Sequence, residues 1–588
     1  MGRLYSLVLL LAAMAWPISA AGVEGEFNFD YAEEQQPANW QVNMQMQDEL
    51  QKLQTKISDL QQQLELANKQ KSDLAVTLGK LDVKGESNAN FRNFNLNGPG
   101  IDAARDFLGR TLWYDSIESD KQLTGSKANE RISLVLLGRP IPQLAIGSNL
   151  EILFTWAGGK QIAPADELYI SADFDTWQTV AGTYWAQFSP LTLFFPMEKP
   201  LFEGDIFAQK RNSWLTEQKI KGNLRRLEGF SGQFQVDNLH VRGLVSRVAG
   251  SPYHRFLYGL EGKLALDPSL ELTGNLISYR DDLASASSGK AMDNLLLGLA
   301  GEWQLREDCS LRGEYVRSSY DDDLAAGLPP AYDRAFTGEF DWENKQLKLL
   351  GRFVDVGPFY WAPTAQSRDY TLKTAGIFGS QTAQTAMGGL VSEAADQALP
   401  YGLATPNRNG IQISATYELP SGAKFFLEHW QFTEKKPSEA GKLTEQMSAR
   451  RNFYVEKIGG QLPLTKLIKT SRFSFPLKET NLTGQWERRS AIRQADPESG
   501  TDARVHKSEV IADLGLSYQL VPGWQLLIAR KSQIWQDALQ ASAERQDTVA
   551  MGVKTKLGSN AFLQLSVEKF NAQQARGTIT GLKVEAEF

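Results

Sequence analysis

Ile411-Gln412-Ile413-Ser414-Ala415-Thr416-Tyr417-Glu418-Leu419 runs directly into Pro420-Ser421-Gly422. Apolar side chains at odd positions and polar ones at even positions have the period of a β-strand with one dry and one wet face. Pro-Ser-Gly stops that strand in a tight turn. The same grammar recurs along the chain. Ala512, Leu514, Leu516, Tyr518 and Leu520 alternate with Asp513, Gly515, Ser517 and Gln519, and Val521-Pro522-Gly523 ends the run. Phe256, Tyr258, Leu260, Leu264 and Leu266 share one face of a third segment, and Phe336, Gly338, Phe340 and Trp342 one face of a fourth. Segments of about 10 residues match a tilted strand crossing a bilayer.

A soluble sandwich also alternates, so turn spacing carries the decision. Short turn signals stand at Asp175-Thr176, Asp237-Asn238, Asp267-Pro268-Ser269, Arg306-Glu307-Asp308, Glu343-Asn344-Lys345, Pro420-Ser421-Gly422, Val521-Pro522-Gly523 and Gly558-Ser559-Asn560, with a ninth between Pro476 and Thr480. Between successive turns lie two strand-like segments joined by a longer polar stretch, such as 281–291 or 318–330. Short turns at one end and long loops at the other distinguish a membrane barrel from a sandwich. The expected fold is all-β: a transmembrane antiparallel β-barrel over 130–588, of about 18 strands and within a range of 16 to 20.

Ahead of the barrel the period differs. Met46, Leu50, Leu53, Ile57, Leu60, Leu64, Ala67, Leu74, Leu78 and Leu81 recur in steps of three and four, broken at Lys71. Such heptads predict an α-helical coiled coil over 43–82, roughly 55 Å long at about 1.5 Å per residue. Leu50, Leu53, Ile57, Leu60, Leu64, Leu74, Leu78 and Leu81 are its expected oligomer interface; the alternative is a helix folding back on its own domain. Residues 1–21, with Arg3, an apolar run and Pro17-Ile18-Ser19-Ala20-Ala21, have the build of a secretory signal peptide. An N-terminal segment covers 22–42. Residues 83–129, including the Asn-rich run 88–100, are expected to be a linker.

Composition narrows function. A net charge of −7 with 22% charged residues offers no basic surface for nucleic acid. Cys309 is the single cysteine and His240, His254, His429 and His506 are the only histidines; they make neither a metal site nor a nucleophile–base pattern. The reading therefore predicts no enzyme, no metal and no cofactor. A plugged receptor would need a globular domain of more than about one hundred residues before the barrel, where the heptads and linker stand instead.

The final segment carries Leu582, Val584, Ala586 and Phe588 on one face and Lys583, Glu585 and Glu587 on the other. A closing strand ending in Phe resembles that of Gram-negative-type outer-membrane β-barrel porins, here with an N-terminal periplasmic coiled coil. Ala586 departs from the larger residue usual there, and no specific family is matched. The resemblance implies that the barrel-assembly machinery recognises Leu582, Val584 and Phe588. It implies an outer-membrane location in contact with lipid, with the coil in the periplasm, and a homo-oligomer, a trimer being favoured. The expected function is passive passage of small polar solutes, with the coil trimerising the protein or docking a periplasmic or cell-wall partner. A structural envelope tether and a plugless polysaccharide or siderophore transporter are the alternatives.

In a barrel the polar register faces the lumen. The expected pore lining is Glu261, Lys263, Arg312, Glu314, Glu339, Asp341, Lys348, Arg352, Asp513, Lys554, Lys556 and Glu568, a mixture of both signs. Two long loops, 189–226 and 356–407, either fold inward or cap the outside. Trp156, Trp177, Trp303, Trp342 and Trp524 stand near strand ends, where indoles suit the membrane interface.

Overall fold

The computed structural model describes Gln62 and residues 80–587 except 98–121, 156–158, 163–166, 194–226, 249–254, 282–290, 292, 322–329, 363, 366–401, 440–441, 444–447, 466–478, 496–503, 540–541 and 573–575. The chain divides into 1–77 and 78–588. The leader, Trp156, Phe588 and, apart from Gln62, the heptads up to Leu78 thus lie outside the described residues.

The barrel starts with β1 (Lys80–Asn97), β2 (Gln122–Ile141) and β3 (Leu144–Thr155), and a short β4 (Gly159–Ile162) pairs antiparallel with the end of β3 on the same edge as the strand that follows it. It continues through β5 (Glu167–Phe174), β6 (Trp177–Tyr184), β7 (Leu227–Val236), β8 (Leu239–Val248), β9 (Arg255–Asp267) and β10 (Leu270–Asp281). Next come β11 (Asp293–Arg306), β12 (Cys309–Asp321), β13 (Ala331–Glu343), β14 (Leu347–Val356), β15 (Arg408–Glu418) and β16 (Lys424–Thr433). A separate small hairpin, β17 (Ser438–Glu439) and β18 (Lys442–Leu443), interrupts the sequence. The wall is completed by β19 (Asn452–Pro463), β20 (Thr480–Arg493), β21 (Val505–Val521), β22 (Trp524–Asp537), β23 (Ser542–Lys556), β24 (Ala561–Ala572) and β25 (Arg576–Glu587). Every neighbouring pair is antiparallel, and β25 returns to pair with β1, Leu582 opposite Phe91 and Val584 opposite Ala89.

The closed wall has 22 strands, not 18. The expected barrel start at 130 is also corrected: β1 and the beginning of β2 occupy much of the stretch read as a linker, and β2 and β3 form an additional hairpin at Pro142-Gln143. Leu81, assigned to the coil, belongs to β1 and is paired with Gly138. The physical reason is that β1 is held by ladders on both edges, so it needs no apolar alternation of its own to be a strand.

Nine connections at one end of the barrel have two to five residues, and β1 begins and β25 finishes at that same end. The tenth connection at that end, 464–479, has sixteen residues, so the ninth turn expected between Pro476 and Thr480 is not a short one; the opposite end carries the longest connections, 185–226 and 357–407. Asp175 and Asp237 open their turns at φ 49°, a left-handed conformation that Asp tolerates better than most side chains. Trp177, Trp303, Trp342 and Trp524 all stand at the short-turn end. Trp342 anchors there by donating its indole N–H to Asp308 at 2.9 Å.

Leu260, Leu299, Phe340, Ile413 and Leu514 are among the exposed large apolar residues on the outer register. A closed wall turning such a surface outward meets hydrocarbon rather than water. Charged residues break the pattern on several strands: Ile413, His429, Glu456, Arg488 and Val510 are successive register partners on the outer face, and Arg530 stands there between Leu514 and Val549. On the loop side of the row from Ile413 to Val510 the next outer-register partners are Gln431, Tyr454, Ser490 and Ser508, so it stands at the edge of the apolar belt, where an outward Arg costs about 0–1 kcal/mol.

The seam generates the first prediction. Removing residues 22–79 leaves β1 whole and preserves a heat-modifiable barrel on electrophoresis, whereas removing 22–97 deletes β1, opens two strand edges and abolishes it.

Candidate pore

All twelve expected pore residues stand on the register opposite the exposed apolar one. In β12, for instance, Leu311 and Tyr315 are exposed outward whereas Glu314, Val316 and Ser318 are buried. Arg312 lies in register between Glu302 and Glu339. Arg352 donates from Nε to Glu339 at 2.7 Å and from a terminal nitrogen to Gln412 at 2.8 Å. Gln412 donates to Glu428 at 2.7 Å, and Glu428 meets Lys457 at 3.1 Å. One chain of charge-assisted contacts thereby spans β13, β14, β15, β16 and β19.

Other expected members join smaller groups. Glu261 lies 3.6 Å from Arg242, Lys263 lies 3.8 Å from Glu271, and Lys348 reaches Asp341 at 3.5 Å and Glu343 at 2.8 Å. Lys554 sits 4.6 Å above the Phe562 ring, while Asp513 and Glu568 are buried on the same inner face. Within these groups acid and base are neighbours, so opposite charges offset each other locally, whereas Glu271 and Glu302 stand opposite each other as two acids.

The end of the barrel bearing the long loops is built differently. Leu257, Ile277, Leu296, Val316, Val354, Phe432, Phe453 and Val455 are fully buried, and they point inward. What covers them is loop. Leu191 and Leu193 of the β6–β7 connection and Tyr360 and Ala365 of the β14–β15 connection belong to the same apolar cluster. Each buried Leu or Tyr side chain contributes on the order of 1.5–3 kcal/mol to holding the loops inside.

Polar contacts fix the loops in place. Ser189 donates its hydroxyl to Glu314, and the 189–193 turn closes with Leu193 N donating to Ser189 O at 3.2 Å. Asn294 and Ser318 both donate to the Trp361 carbonyl at 2.9 Å. The loops also hold each other: Tyr360 donates to the Leu191 carbonyl at 2.6 Å and Thr364 to the Thr192 carbonyl. Burial raises the Tyr360 phenol well above its ordinary range, so it remains a hydrogen-bond donor. At the neck, Gly357 N donates to Arg334 O at 2.8 Å and Asn407 N to Gly357 O at 2.9 Å. A Cβ at Gly357 would run into the Asp333 carboxylate.

No family model matches the chain, and no curated protein matches it. Among solved structures, OccAB3 from Acinetobacter baumannii is similar at 11% identity, with 86% of this chain and 99% of that chain covered and a TM-score of 0.32. The outer membrane protein OprD from Pseudomonas aeruginosa is similar at 9% identity over 86% of this chain and 93% of its own, with a TM-score of 0.36. OpdO, also from Pseudomonas aeruginosa, shows 10% identity over 86% and 97%, with a TM-score of 0.36.

The buried cluster and the hydrogen bonds turn both candidate loops inward along their described parts, 185–193 in the first and 357–362, 364–365 and 402–407 in the second. Sequence reasoning missed Arg242, Gln412, Glu428 and Lys457, which share the inner register with expected members. It also missed Asn294 and Ser318, the anchors of Trp361. A signal was present: Leu295-Leu296-Leu297, Phe353-Val354 and Trp430-Gln431-Phe432 place apolar residues on the inner register, and strands apolar on both faces are covered on both faces. Tyr360→Phe leaves the Leu191 carbonyl without its buried donor, a loss of about 1–3 kcal/mol. Expected is faster cleavage of the 185–226 connection by externally added protease in intact cells, with Phe359→Ala, at an exposed position, unchanged.

Proposed function

We propose that this protein is an outer-membrane channel for small polar solutes, narrowed from within by its two longest loops. The observation that carries this reading is the mutual fastening of the 185–193 and 357–365 segments on the inner wall, beside a charge-lined polar surface. An aqueous path needs polar groups whose charges are already compensated, because unpaired ones would bind ions too tightly to release them. The alternating chain from Glu339 to Lys457 supplies such a lining. The role is passage, not catalysis.

The strand number favours a second reading, a plugless transporter for larger solutes such as a polysaccharide or siderophore. A wall of 22 strands encloses a wider bore than the 16–18 strands of ordinary porins. The loops then set the size limit, not the wall. Assembly follows the expectation from the closing strand: the barrel-assembly machinery inserts it into outer-membrane lipid. The heptads before Lys80 trimerise the chain or dock a periplasmic or cell-wall partner.

Planar-bilayer recording tests the proposal. The purified full chain gives stepwise currents with a reversal potential near zero in a potassium chloride gradient. Lys457→Gln leaves Glu428 without its cation and moves the reversal potential toward cation preference. Absence of any current over the full voltage range overturns the channel reading. Exclusion of neutral solutes above disaccharide size argues against the larger-solute reading.

A further inference from the structure

Toward the long loops, where the apolar outer register ends, outward bases mostly stand beside acids. Arg530 and Arg545 share Asp547 at 3.5 and 2.6 Å, Arg488 lies 4.0 Å from Glu456, and Arg247 and Arg280 stand opposite Glu228 and Asp293. Among the described outward residues one cross-strand pair instead joins two bases: Arg317 of β12 faces Arg334 of β13, both exposed. Like charges directly opposite each other in a ladder repel. Neither guanidinium meets a carboxylate among the described residues, and Arg317 has only the ring of Tyr332, 5.6 Å from its guanidinium carbon.

The acids nearby are engaged elsewhere or stand further off. Asp355, diagonal to Arg334, holds Lys435 at 2.7 Å and accepts from Asn409 at 3.2 Å. Asp333, on the inner register, accepts from the amides of Arg334 at 2.8 Å and Phe359 at 2.7 Å. Asp293 and Asp321 lie four residues nearer the loops. On the turn side of the pair, Leu299, Tyr315 and Phe336 form an exposed apolar row, and on the loop side stand Ser319 and Tyr332. Two bases thus sit at the rim of the belt, where hydrocarbon gives way to headgroups.

We propose that Arg317 and Arg334 clasp the headgroup phosphate of a lipid in the leaflet at the long-loop end, with its acyl chains along Leu299, Tyr315 and Phe336. Guanidinium groups offer forked donors that match phosphate oxygens, and an anion between two cations turns their repulsion into attraction. A soluble acidic partner would meet a wall that is apolar on its turn side, whereas a lipid supplies both the anion and the hydrocarbon. The proposal takes from the functional reading only that the barrel sits in a membrane, and it is independent of conductance.

The test incubates the full chain in neutral detergent with short-chain phosphatidic acid and counts retained lipid by native mass spectrometry, with diacylglycerol of the same chains as the phosphate-free comparison. Phosphatidic acid is retained and diacylglycerol is not. Arg317→Gln with Arg334→Gln weakens retention roughly tenfold or more. Arg317→Lys with Arg334→Lys retains more than the glutamine pair, and Arg530→Gln, whose wild-type side chain already has an acid beside it, leaves retention unchanged. Each variant is first checked for heat-modifiability, and should the double glutamine variant lose it, Arg317→Gln and Arg334→Gln alone carry the comparison. Equal retention of diacylglycerol overturns the proposal, as does inorganic phosphate that displaces the lipid at equal concentration. So does a folded glutamine variant that retains phosphatidic acid as the wild type does, or an equal loss in Arg530→Gln. A conducting channel that holds no such lipid loses only this proposal; lipid held by a barrel without current loses only the channel.

Discussion

Everything in this molecule depends on one pairing, β25 against β1. In hydrocarbon an unpaired backbone amide has no water to turn to, so a sheet crosses a membrane only when its last strand finds its first. Here twelve register pairs, from Glu86 opposite Glu587 to Asn97 opposite Arg576, close the wall. Closure creates an inside and an outside, and that division assigns each alternating residue its environment. It also explains why an Asn-rich segment is a strand: Asn88, Asn90, Asn93 and Asn95 are held by partners on both edges rather than by an apolar face of their own.

Within the wall, two solvents are built into one register. Toward the short turns the inner face is a lattice of compensated charges, of which Glu339, Arg352, Gln412, Glu428 and Lys457 form the continuous part. Toward the long loops it becomes a largely apolar pocket filled by Leu191, Leu193 and Tyr360. The loops thus have a conventional hydrophobic core, with the barrel wall as one side of it. A segment fixed by burial and by buried carbonyls with donors behaves as part of the fold, which separates this constriction from a mobile lid.

How much of this was legible in advance depends on which forces left a local trace. Turns led by Asp, Pro and Gly, such as Asp237-Asn238 and Val521-Pro522-Gly523, were legible because their backbone demands are local. The facing of Glu314 or Arg352 was legible because alternation alone sets it. The strand count fell short because Pro142-Gln143 does not announce a turn and β1 has no alternating signature; both are stabilised by partners distant in sequence. The loop anchors were hidden for the same reason. Ser189 and Glu314, or Leu191 and Tyr360, lie more than a hundred residues apart, and only the coincidence of apolar residues on both registers of β11, β14 and β16 hinted that something covers the inner wall.

The central claim is that the loops are fastened inside the bore, and amide hydrogen exchange of the full-length protein in detergent or nanodiscs tests it most directly. Phe188 and Leu193 donate their amides within the 185–193 segment, as do Gly357, Tyr360 and Asn407 at the second loop. The structure predicts that peptides covering 185–193 and 357–365 exchange on the timescale of hours, close to the strands beside them. Complete exchange within seconds, with the strands still protected, would contradict it.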